Sequence, residues 1–253
     1  MKNHNFTNFM VGAVLIICLG SLYPARSNAG TITDNFDGAA INHRLWQPYN
    51  YDQRQRWAQQ GGELRIQIDG ASVGETFGAG VNSNFLLKGN FEVTVDYWLI
   101  KWPNANGVSI GFNNVFGQFK AGEFVIRRIS IPLNQSPDFK ENYKAAFDDG
   151  SIPFPIFYVP TTDSSGSLKW TRVGSVMTGY FFNTQINNWQ TIGSHDYSAT
   201  GLDEWVGFSL NARSNTPGFA GQDVEIAFDN FQVNYVQIKY LSAVPAGTML
   251  LLD

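Results

Sequence analysis

The sequence predicts an all-β protein, a two-sheet antiparallel β-sandwich. Three observations carry this. Apolar and polar residues alternate with period two in run after run, the mark of a half-buried strand. Clusters of turn-forming residues such as "QGGE", "PNANG", "TTDSSGS" and "RSNTPGFAG" separate the runs. The 253-residue chain holds 25 Gly and 15% aromatic residues but only 15% charged ones, a balance that suits sheets and turns better than helices.

The chain start reads as a secretory leader. Lys2 is basic, Met10 to Leu19 is a short apolar run, and "SNAG" offers small residues for cleavage before Gly30. The run is too short to span a bilayer, and Ile17 before Cys18 does not suit a lipoprotein signal. Residues 1–29 are therefore expected to be a signal peptide, and the protein to be secreted or at the cell surface. Removal of residues 1–29 takes away Lys2, Arg26 and the single cysteine, leaving 17 − 2 = 15 basic against 21 acidic residues, a charge of −6. Disulfides are then excluded as a source of stability. The acidic balance argues against nucleic acid and anionic membranes as partners and favours a neutral polysaccharide.

The domain is expected over 30–240. Leu64, Ile66 and Ile68 alternate with polar residues, as do Phe91, Val93, Val95, Tyr97 and Leu99. Val108, Ile110 and Phe112 continue the pattern, followed later by Val176, Thr178, Tyr180 and Phe182, and by Val206, Phe208, Leu210 and Ala212. Residues 114–160 are less regular and Pro-flanked, and are expected to form an insertion or long loops. "DFKENYKAAFDDG" is the best helical candidate, one or two turns long. In "VEIAFDNFQVNY" the apolar phase flips across Asp229-Asn230, so one inserted residue, a β-bulge, is expected there.

Gly107-Val108-Ser109-Ile110-Gly111 matches the G-x-S-x-G pattern of hydrolase nucleophile elbows. Such an elbow needs a strand, a sharp turn and a helix. Here the residues that follow carry no helical signal, and alternation makes Ser109 an ordinary strand residue.

"DNFDGAAINHRLW", "FEVTVDYWLIKWPNANGVSIGF", "GSLKWTRVGSVMTGYFF" with "WQTIGS", and "VGFSLNA…VEIAFDNFQV" occur in this order. Over roughly residues 31–236 the chain resembles the concanavalin A-like lectin/glucanase superfamily. The likeness is to laminin-G-like or family 16-like jelly rolls of secreted bacterial proteins. The resemblance implies a jelly roll with one concave sheet and any glycan laid across it. Family 16 hydrolases carry E-x-D-x-x-E on one strand, which places the carboxylates on one face. No glutamate here opens that motif: Glu92 is followed in phase by Thr94 and Val95, and Glu63, Glu75, Glu123, Glu141, Glu204 and Glu225 also fail. Catalysis of that type does not carry over. Glu92, Asp96 and Trp98 share one strand face by parity, either as a weaker acidic site or as the plain solvent side of the strand.

Sugar rings stack on aromatic faces. Trp98 points away from the apolar row of its strand, Trp102 sits at the following turn, and Trp57 lies in the polar stretch "DQRQRWAQQ" beside Arg54 and Arg56. These five are the candidate ligand-binding residues, with edge-capping tryptophans as the alternative. The resemblance also implies a structural calcium on a last-strand aspartate. Asp229 matches that position, with Asp34 and Asp37 of "TDNFDG" as partners; an Asx turn and a bulge cap are the alternative. The end, residues 241–253, is apolar after Pro245. Val244-Pro245-Ala246 resembles the start of a PEP-CTERM sorting tail, but Met249 to Leu252 is too short to span a membrane.

The expected function is that of a secreted, non-catalytic glycan-binding or adhesion module. The alternatives are a polysaccharide-degrading enzyme with a non-standard site, such as Glu92/Asp96 or the Arg54-Arg56-His43 region, and a structural surface protein that binds another protein.

Overall fold

The computed structural model describes residues 29–50, 55–70, 78–114, 124–130, 141–148, 153–199, 205–214 and 219–241. Every regular element among them is a strand. The leader, Arg54 and the tail from residue 242 lie outside the described residues.

Two antiparallel sheets face each other. Sheet A runs β13 (Asn188–Asp196), β12 (Val176–Asn183), β11 (Ser165–Val173), β6 (Phe85–Lys101), β15 (Val224–Tyr240), β4 (Glu63–Ile68), β3 (Gln55–Gln60), with β1 (Gly30–Asp34) also paired to β15. Sheet B runs β10 (Ile156–Pro160), β9 (Glu141–Phe147), β8 (Phe124–Ser130), β7 (Val108–Asn114), β14 (Phe208–Ser214), β5 (Gly78–Ser83), β2 (Trp46–Asn50). Alternation decides which side of each strand meets the other sheet. In sheet A, Val93, Val95 and Tyr97 face in with Ile226, Phe228 and Leu64; in sheet B, Phe208, Leu210 and Ala212 face in with Val108, Ile110, Ala79 and Val81. Trp46 is wholly buried, edge-on to Phe231 at 4.7 Å between ring centroids.

A buried hydrogen-bonded bridge joins the sheets. The Tyr97 hydroxyl donates to the Tyr143 hydroxyl at 2.8 Å, and Tyr143 donates to Asp163 Oδ2 at 2.8 Å. Burial, then Tyr97, pushes the Tyr143 hydroxyl far above its ordinary pKa. Along one side, β13 packs against β9 and β10 and closes the sandwich. Gly193 permits this: a Cβ there would lie 2.4 Å from Phe157 Cδ2.

Three expectations change. The span 114–160 carries β8, β9 and β10, which complete one wing of sheet B. The helical candidate is β9. Its Tyr143, Ala145 and Phe147 alternate into the core, and pairing with β8 and β10 overrides the helical preference of Lys and Ala. In β12 the phase is inverted: Met177 and Phe181 face the core, so Tyr180 and Phe182 do not. A register shift beside Gly179 accompanies this. The bulge in β15 stands where the sequence placed it, with the register to β6 shifting between Asp229 and Gln232 and Asn230 at φ 49°.

Candidate functional site

One row of residues crosses the whole of sheet B. Tyr49 on β2 is the register partner of Gly80 on β5, and Gly80 of Asn211 on β14. Asn211 pairs with Gly111 on β7, Gly111 with Arg127 on β8, Arg127 with Lys144 on β9, and Lys144 with Tyr158 on β10. Six inter-strand steps of about 4.8 Å give a row of roughly 29 Å. Tyr49, Asn211 and Lys144 stand in the phase opposite to the core residues of their strands, so the row lies on the outer face. A tyrosine stands at each end. The two glycines beside Asn211 are buried with it.

The floor of this face is polar, small and tied together. Asn211 Nδ2 donates to Ser209 Oγ at 2.9 Å, and Ser209 Oγ lies 3.3 Å from the Tyr49 hydroxyl. Ser109, Ser209, Asn211 and Asn142 are in the outward phase yet almost fully buried. A plain solvent face would carry long charged side chains there. Gly80 is required by close packing: a Cβ would meet Leu210 O at 2.1 Å and Asn211 Cα at 2.8 Å. At the far end the Lys144 ammonium lies 5.8 Å from the centre of the exposed Tyr158 ring.

Ser109 belongs to this floor. It is buried within β7, and its hydroxyl donates to Arg213 O at 3.4 Å. A strand continues after it, so the elbow geometry is missing.

The residues singled out from sequence do not come together. Trp98 is half-buried on the outer face of sheet A, with Ser165 and Ala227 as register partners. Trp102 packs against the core, and its Nε1 donates to Glu141 Oε2 at 3.2 Å on the other sheet. The two rings therefore do not form one platform. Trp57 pairs with the buried Ile66 and packs on the core, while Arg56 takes the opposite phase and binds Asp69 at 2.8 Å. The cavity beside them is about 40 Å3, far below the ~300 Å3 of ordinary ligand pockets. His43 sits elsewhere, its carbonyl accepting from Asn84 Nδ2 at 2.7 Å.

Glu92 and Asp96 are both engaged. Glu92 lies 3.5 Å from Lys169 Nζ, and Asp96 accepts from Ser167 Oγ and from Asn230 Nδ2 at 2.9 Å. Four residues along a strand separate them by about 13 Å, more than the ~5–9.5 Å of paired glycosidase carboxylates. Lys169 is held between aromatic faces, 4.9 Å from the Tyr180 ring centre and 4.4 Å from that of Trp189.

Among the metal candidates, Asp34 is already occupied. Its Oδ1 accepts from Phe36 N at 2.9 Å and its Oδ2 from Trp46 Nε1 at 2.9 Å, which points it to the core. Asp37 and Asp229 remain neighbours: burial raises the Asp229 pKa, and the charges of Asp37, Asp96 and Glu63 raise it further, against a lowering hydrogen bond from Asn230 N. Among the described residues no three His, Cys, Asp or Glu side chains converge as a metal-ligand group.

The sheet B row has a signal in the sequence. The polar phases of "FSLNARS", "GVSIGF", "GAGVNS" and "ENYKAAF" hold mostly Ser, Asn and Gly, with Arg213 and Lys144 as the charged exceptions. Register, which unites these positions, is not written in any one strand.

No protein-family model matches the chain, and none of the curated proteins matches it. Solved structures do. A GH43 protein from Bacillus licheniformis aligns at 15% identity and TM-score 0.55, over 80% of this chain and 39% of that one, so this chain spans well under half of its length. An immunostimulatory antigen and pseudo β-1,3-glucanase of Mycobacterium tuberculosis aligns at 12% identity and TM-score 0.57, over 81% and 98%. Peanut lectin aligns at 12% identity and TM-score 0.52, over 83% and 100%. Among the described residues no helix is long and apolar enough to cross a membrane. Sheet order, register and these alignments together show that the chain has the concanavalin A-like lectin/glucanase fold.

Proposed function

We propose that this is a secreted or cell-surface glycan-binding protein without catalysis, its polysaccharide laid across the outer face of sheet B. The observation that supports it most is the row from Tyr49 to Tyr158, which spans all strands of that sheet. Tyrosines at its ends offer stacking faces, and the buried Asn211 and Ser209, bonded to each other, hold the strands between them in place. Glu141 is the only acidic residue on the strands of sheet B, and it is bonded to Trp102. A carboxylate pair for glycoside cleavage is therefore not available on those strands. A glycan array read beside a reducing-end release assay tests the proposal. Binding without product is expected; product release would replace it with the enzyme reading.

Calcium is proposed as a structural ion at Asp37 and Asp229 only, since Asp34 is bound inward. Calcium takes about six to eight oxygen ligands, so carbonyls or water would complete the shell, and the ion would relieve the repulsion around Asp229.

A further inference from the structure

We draw no further inference here: the strongest candidate, the surface patch of exposed apolar side chains Phe154, Ile156, Phe157 and Tyr158 along the β10 edge of sheet B, carries nothing because nothing in the structure shows what covers it.

Discussion

Asp96 and Asp229 are register partners on β6 and β15, two carboxylates opposed across adjacent strands of sheet A. Asp229 Oδ1 accepts from Asn230 N at 2.6 Å, at the bulge, and Asp96 accepts from Asn230 Nδ2 at 2.9 Å. The bulge residue thus holds two like charges near each other. Burial, then the neighbouring charges, raises the Asp229 pKa. An acid whose folded pKa lies above its unfolded one destabilises the fold when ionised. That penalty is present above the folded pKa and disappears as pH falls through it toward the unfolded value. Asp229→Asn is therefore expected to be more stable than the natural protein at pH 7, by about 0.5 kcal/mol, with the advantage shrinking on mild acidification. Asp196 and Asp223, whose pKa values are lowered by bonds to Ser175 and Lys101, lose their contribution at lower pH in both proteins and cancel in the difference. Urea midpoints across the pH range check this; a variant less stable at pH 7 contradicts it.

The proposed calcium would act on the same group. If the ion sits at Asp37 and Asp229, its binding free energy adds to folding, about 2.7 kcal/mol at a hundredfold excess over Kd. The melting temperature is expected to rise with calcium, to fall with a chelator, and to lose both responses in Asp229→Asn. A melting curve indifferent to calcium and chelator removes the ion from the account and leaves Asp229 as the bulge cap.

Gly80 fixes the approach of β5 to β14. A methyl group there meets the Leu210 carbonyl and the Asn211 backbone, neither of which can swing aside. Gly80→Ala is expected to cost at least about 2 kcal/mol and to disturb the row around Asn211. A denaturation midpoint within experimental scatter of the natural protein's would show that the two strands tolerate greater separation.

Trp98 and Trp102 have different work. Trp102 packs on the core and binds Glu141 across the sheets, so Trp102→Ala is expected to cost about 2–4 kcal/mol. Trp98 is half-buried on the outer face, and Trp98→Ala is expected to cost less than half as much. Thermal melts of both variants separate the two; equal losses contradict the assignment.

Much of this architecture is legible in the chain. Alternation marks β4, β6, β7 and β14 and their core faces, and the phase flip at Asp229-Asn230 marks the bulge, because side-chain period and register obey one rule. β9 is missed because Lys144, Ala145 and Ala146 favour helix until β8 and β10 pair on either side. Trp57 and Arg56 look like neighbours, yet adjacent strand residues point to opposite faces. Trp102 reads as a turn residue because nothing local reveals Glu141 across the sandwich. The sheet B row is assembled from positions far apart in sequence, such as Tyr49, Asn211 and Tyr158, and only strand order unites them.

The central claim is that glycan lies on sheet B and not on the outer face of sheet A. Affinity electrophoresis in a gel containing a polysaccharide that retards the natural protein decides this with three single variants, Tyr49→Ala, Tyr158→Ala and Trp98→Ala. Stacking on one ring is worth about 1 kcal/mol, so the account predicts that each tyrosine variant binds roughly five- to tenfold more weakly while Trp98→Ala migrates like the natural protein. Loss of retardation in Trp98→Ala, with both tyrosine variants unaffected and folded, would contradict it and move the binding face to sheet A.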